Sequence, residues 1–202
     1  MITAIKKIMV IAAALVLVSW ADNRGDVEQA AQKITSINAE FTQTKKMELL
    51  ARPLVSTGKF YYRQPGSLRW EYTSPVQSVL MLHSGSLHRY IKTRQGFVED
   101  DTAKLKSMAV VLTEITSWFR GTFDANPDFE ARLQASPSKA IILTPKSPGL
   151  KKIISSIELQ LSDRPGVIHR VVIREGEKNL TILEFRNIGI NAEIQEELFT
   201  QL

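Results

Sequence analysis

From Ala39 onward the hydrophobic pattern has a period of two, and this limits the chain more than any other feature it carries. Alternation at that period places successive side chains on opposite faces of a strand. Phe41, Gln43 and Lys45 alternate with Glu40, Thr42 and Thr44. Thr57 to Arg63 reads as a second strand, and Gln64-Pro65-Gly66-Ser67 as a turn, since Pro and Gly supply turn geometry and interrupt ladders. Leu68 to Tyr72 follows, with Leu68, Trp70 and Tyr72 on one face and Arg69 and Glu71 on the other. Ser78 to His83 and Ser86 to Ile91 flank Ser84-Gly85, a hairpin signal. The pattern resumes at Phe129 to Gln134 and Ala140 to Thr144, and Pro145 to Gly149 reads as a loop. A run through Ile153, Ser155, Ile157, Leu159 and Leu161 comes next, then Val167 to Arg174 and Asn179 to Asn187. Arg164-Pro165-Gly166 and Glu175-Gly176-Glu177 turn these last strands into a meander, and the tail Ile188 to Leu202 is short. Short strands joined by tight turns, without alternating helices, predict an antiparallel sheet or barrel.

Two stretches break the alternation. Arg24 to Ile37 predicts a helix, with Val27, Ala30, Ala31, Ile34 and Ile37 at three- and four-residue steps. Ala103 to Arg120 predicts a second. Its stripe is Met108, Leu112, Ile115 and Phe119, widened by Val111 and Trp118, and Gly121 is its stop. Both are placed to cover one face of the sheet. The expected class is mainly β (α+β), in a single domain over 22–202 without internal repeat or linker.

The first residues read as an export signal and not as part of the fold. Lys6 and Lys7 precede the apolar run Ile8 to Val18, and Ser19-Trp20-Ala21 offers a cleavage site after Ala21. That run is too short to cross a bilayer, which needs about 20 apolar residues. The expected arrangement is therefore a signal peptide over 1–21 and a soluble exported domain after it. There is no cysteine, so in an oxidising compartment the fold depends on its core alone. A lipidated cysteine at the cleavage site is excluded for the same reason. The 26 Lys+Arg against 21 Asp+Glu give a net charge of +5. Removing Lys6 and Lys7 leaves 24 against 21, or +3, with the charges interspersed. A nucleic-acid surface needs a clustered basic stripe, and none is expected.

Chemistry is sparse. His83 and His88 flank a turn at a spacing unsuited to zinc, and His169 stands apart. Asp100-Asp101 lacks the alternate-residue ligands of a calcium loop. There is no Gly-x-Ser-x-Gly elbow, phosphate loop or dinucleotide fingerprint. The expectation is no catalytic residue, no metal and no cofactor. A lipid hydrolase built on Ser84 or Ser86 with His83 or His88 is the enzymatic alternative.

Four ordered segments resemble the LolA family of periplasmic lipoprotein carriers. They are Phe41-Thr42-Gln43; Gly58-Lys59-Phe60 through Pro65 to Trp70; Ser74-Pro75 with Val79-Leu80 and Ser84-Gly85; and Leu143-Thr144-Pro145-Lys146 with the meander after it. The resemblance implies an unclosed, strongly curved antiparallel half-barrel with helices as a lid over an apolar cavity. It implies a monomeric periplasmic carrier that takes acyl chains of lipoproteins from an inner-membrane releasing complex to an outer-membrane receptor. By spacing alone, Phe60, Leu68, Trp70 and Tyr72 suit a filled core as well as a cavity wall. The resemblance assigns them to the wall, with Met108, Leu112, Ile115 and Phe119 as the cap. The family's lid-holding arginine precedes the turn proline. Here Gln64 stands at that position and Arg63 one residue earlier, on the opposite face of the strand; these two are the candidate lid latch. The chain stops at Phe199-Thr200-Gln201-Leu202, where the family pattern continues. These departures leave room for two alternatives: a relative that binds another lipid or glycolipid, and a non-transporting sensor or interaction domain.

Overall fold

The computed structural model describes residues 24–100 and 115–202. The expected signal peptide, and Met108, Val111 and Leu112 of the expected second helix, lie outside the described residues.

Among the described residues eleven strands form one sheet. The first meander is β1 (Ser36–Lys46), β2 (Leu54–Arg63), β3 (Ser67–Ser74), β4 (Ser78–His83), β5 (Ser86–Thr93) and β6 (Gly96–Glu99). The second is β7 (Phe129–Gln134), β8 (Ala140–Pro145), β9 (Ser156–Leu161), β10 (Ile168–Glu175) and β11 (Asn179–Ile190). The order across the sheet is β6-β5-β4-β3-β2-β1-β11-β10-β9-β8-β7. Each meander folds on itself through hairpins. The two join where β1 pairs antiparallel with β11, with Phe41 opposite Phe185. β6 and β7 are the edges, so the sheet is not closed. Among the described residues the helical segments are α1 (Arg24–Gln32), α2 (described over 115–119), α3 (Pro148–Lys151) and α4 (Glu197–Thr200).

The alternation explains which face is inside. Ala39, Phe60, Trp70 and Leu80 sit opposite one another across β1 to β4, and all are buried. Leu183, Val171, Leu159 and Ile141 do the same across β11 to β8. Gly58 is required where β2 passes beneath Phe41. A Cβ there would lie 2.6 Å from the Phe41 ring and would collide with the Glu71 carbonyl oxygen.

Within the described residues the expected strands recur, with differences at their bounds: α3 (Pro148–Lys151) begins inside the expected Pro145 to Gly149 loop, and β9 starts at Ser156 and not at Ile153. α1 ends at Gln32, and β1 begins at Ser36, inside the stretch that the helical spacing of Ile34 and Ile37 suggested. Ile37 pairs with Tyr62 and with Ile190, and two strand ladders outweigh one more helical turn. β6 is an addition whose four residues show no usable period. The tail is not a plain end. It completes β11, then crosses the outer face of β3 and β4 as α4, where Phe199 is buried. Arg69, Val79 and Met81 on that face are buried beneath it, so this part of the sheet is covered on both sides.

Candidate functional site

The inner face and α2 enclose an apolar cavity of about 250 Å³. Trp70 of β3, Phe129 of β7, Ile157 of β9, Val171 of β10 and Leu183 and Phe185 of β11 supply its walls, and Ile115, Trp118 and Phe119 of α2 lie over it. This lining measures the curvature. β3 and β7 stand seven places apart in the sheet order. In a flat sheet, strands spaced by about 4.8 Å would hold them about 34 Å apart. Both line one cavity, so the sheet is curled around it.

Ring packing fixes the wall on the β3 side. Phe60 lies 5.3 Å from Trp70, 5.1 Å from Phe119 and 5.6 Å from Phe185, centroid to centroid. These distances are within the range of favourable aromatic pairs. Phe60 therefore joins β2, β3, β11 and α2 in one cluster. Polar groups gather at one end of the cavity, where Asn126, Asp128 and Glu175 line it beside Leu150 and Ile154. These five residues are partly or fully exposed, so this end is the mouth. Trp118 is 3% exposed, and its Nε1–H has no acceptor among the described residues.

The eight residues assigned to wall and cap separate in the structure. Trp70, Ile115 and Phe119 line the cavity. Phe60 and Leu68 are wholly buried and do not line it; Phe60 packs beside it on the inner face, against Trp70 and Phe119. Tyr72 is half-buried at the edge of the cluster and donates its hydroxyl hydrogen to Gln43 Oε1 at 2.9 Å. Met108 and Leu112 fall outside the described residues. The wall supplied by β9 to β11 was missed from sequence. Its signal was present in the alternation of Ile157 and Leu159 and of Val171 and Ile173, but alternation alone marks a sheet and not a cavity.

The two latch candidates, Arg63 at the end of β2 and Gln64 in the turn after it, face different elements. Gln64 Nε2 donates to the Ile34 carbonyl oxygen at 2.9 Å, and its backbone N–H donates to Thr35 O at 2.8 Å. It therefore ties the end of α1 to the end of β2. Arg63 Nη1 donates to Ile194 O at 3.0 Å, and its guanidinium lies 3.4 Å from Glu196 and 5.1 Å from the centre of the Phe199 ring. Arg63 thus holds the tail on the outer face, away from α2. α1 and α2 meet at Gly121, whose φ of +72° suits glycine and whose missing Cβ leaves room for Glu28 O and Ala31.

The candidate hydrolase residues are also engaged. His83 Nδ1 lies 2.9 Å from Ser67 Oγ, and His88 Nδ1 2.6 Å from Glu99. Ser84, in the turn, and Ser86, the first residue of β5, are exposed. Among the described residues no group of three or more His, Cys, Asp or Glu side chains could hold a metal ion, and no helix is long and apolar enough to cross a membrane.

The family model for the outer membrane lipoprotein carrier protein LolA matches residues 32–201. An outer-membrane lipoprotein carrier protein from Cronobacter sakazakii is 26% identical over 132 residues, covering 63% of this chain and 59% of that one. The chain spans about half the length of the curated relatives it matches. An uncharacterized conserved protein from Thermus thermophilus superposes with a TM-score of 0.52 at 13% identity, over 88% of this chain and 90% of that one. The Pseudomonas aeruginosa MucA/MucB complex gives 0.51 at 14% identity, over 87% and 58%. At such identities these two structures establish a shared fold. With the family model spanning both meanders and the tail, the chain belongs to the LolA family.

Proposed function

We propose that this protein carries the acyl chains of lipoproteins through the periplasm from inner to outer membrane, in the space between the curled sheet and α2. The observation that carries this reading is the cavity itself, walled by Trp70, Leu183 and Phe185 and covered by Ile115 and Phe119. Each buried CH₂ contributes about 0.8 kcal/mol, so an acyl chain crosses water in an apolar container and needs no catalytic group. The carrier acts without enzymatic turnover. The indole N–H of Trp118 is available to an ester carbonyl of the cargo.

A volume of about 250 Å³ is below the roughly 300–1,000 Å³ usual for ligand sites. The described state is therefore the closed one, and loading requires α2 to move outward. Gln64 anchors α1 against the movement through Ile34. The partners are an inner-membrane complex that releases lipoprotein and an outer-membrane receptor that accepts it.

Mass spectrometry of protein purified under native conditions tests the reading. Triacylated lipoprotein in the cavity supports it; a different co-purified lipid replaces it with carriage of that lipid. The Ile115→Glu variant should lose at least tenfold in affinity for a fluorescent fatty acid, because an unpaired charge is costly in an apolar site. A parent protein that neither retains nor exchanges lipid overturns the proposal.

A further inference from the structure

Eight of the nine large apolar side chains exposed among the described residues lie at one end of the strands. The register defines that end. Lys45 at the end of β1 is opposite Leu54 at the start of β2 and Thr181 near the start of β11. The same end carries the pairs Thr57–Ser74, Tyr72–Ser78, Ser78–Ile91 and Thr93–Gly96 on one side, and Thr181–Ile173, Ile173–Ile157 and Ile157–Leu143 on the other. Leu49, 90% exposed, and Leu50 are in the β1–β2 loop, and Leu54 begins β2. Val76 is in the β3–β4 turn, Phe97 in the first residues of β6, and Ile153, 66% exposed, before β9. At the opposite end the loops 64–66, 84–85, 135–139 and 162–166 expose polar, small and proline side chains.

The same rim is basic. Lys46, Arg52, Lys92, Arg94, Lys151 and Lys152 are exposed there. Lys92 lies 4.9 Å over the Phe97 ring, which joins charge and apolar surface in one projection. The acidic side chains Glu48 and Glu175 of the rim are paired with Lys178 and Lys45, and Glu177 and Asp128 also lie near it. Apolar tips beside cations are the composition of a surface that enters the headgroup layer of an anionic bilayer. The cavity mouth, marked by Asp128, Leu150, Ile154 and Glu175, opens at this rim as well.

We infer that this rim docks on an anionic phospholipid surface, with Leu49 and Leu50 as the inserted tip, and so sets the cavity mouth against the membrane. An acyl chain then passes between bilayer and cavity without crossing open water. This purpose rests on the carrier reading, whereas the docking itself is measured separately.

The protein purified after export should sediment with vesicles of phosphatidylethanolamine and phosphatidylglycerol, less so as salt rises, and weakly with phosphatidylcholine vesicles. Leu49→Ser with Leu50→Ser should weaken this binding by about tenfold or more. Lys46→Ser and Arg52→Ser should each weaken it about fivefold and flatten the salt dependence. All four positions are exposed, and fluorescent fatty acid binding in the same samples should remain at the parent level. Absence of vesicle binding by the parent, or binding that survives both sets of substitutions, overturns docking. A parent that binds vesicles but no fatty acid overturns the carrier reading and leaves docking standing.

Discussion

Arg69 Nη1 donates to the Gln201 carbonyl oxygen at 2.7 Å, joining the middle of β3 to the end of the chain. The same nitrogen lies 3.1 Å from Leu198 O, and Nε lies 3.0 Å from Glu71. Arg69 is 7% exposed, so these bonds are made away from water. Hydrogen bonds to a charged group contribute about 1.5–3 kcal/mol. Arg69→Met keeps the bulk and removes the donors. It should cost about 2–4 kcal/mol and lower the Tm by roughly 5–10 °C for a chain of this size. Amide exchange should speed up across residues 192–202 and stay at the parent level in β9 to β11. Unchanged exchange in the tail would show that Phe199 alone holds it.

This tail was the least legible part of the fold. Arg69 alternates correctly with Leu68 and Trp70, so its face could be read. Its burial could not, because a charge at an outer position ordinarily signals solvent, and the cover comes from 129 and 132 residues away. The strands were legible where one face is buried and the other wet, as in β2 and β9. β4 buries Ser78 to Met81 on both faces and was found through its hairpin turn instead. The site was half legible for a related reason. Period two tells which residues face inward but not how tightly the sheet curls, and curling decides that Trp70 meets empty space while Phe60, on the same face, meets Phe119.

Gln64 provides a test of the α1 anchor. Its amide makes a single neutral bond to Ile34 O. Gln64→Ala should cost about 1 kcal/mol, read as a lower urea midpoint at constant slope. The effect should be local, with faster amide exchange at residues 30–35. If exchange rises equally throughout β2 and β3, Gln64 supports the strand and not the helix.

The contact between α1 and α2 can be separated from backbone strain by comparing two glycines. Gly121 and Gly176 have similar φ values, +72° and +67°. A Cβ on Gly176 meets nothing within 4 Å, while one on Gly121 lies 2.6 Å from Glu28 O and 3.0 Å from Ala31 Cβ. Gly176→Ala should therefore cost about 1–2 kcal/mol, the left-handed conformation alone. Gly121→Ala should cost more, about 2–4 kcal/mol, because α1 must shift as well. Equal losses in thermal or urea unfolding would mean that the helices give way freely at this contact.

Tyr62 gives a prediction for alkaline pH. It is wholly buried on the inner face, its ring is 5.8 Å from Phe119, and its hydroxyl has no hydrogen-bond partner among the described residues. Burial pushes its pKa up to about 12, offset in part by the nearby Arg120 charge. The unfolded chain ionises this phenol near pH 10 and the folded chain does not. Its contribution is thus complete below pH 10 and is lost as pH rises from there through about 12. Tyr62→Phe removes both the titration and an unsatisfied hydroxyl. At pH 7 the variant should be as stable as the parent or slightly more so. Between pH 10 and 12 its unfolding free energy should fall less steeply, by up to one proton's worth of slope. Parallel pH profiles for parent and variant would mean that the phenol reaches water in the folded state, by an opening beside Phe119.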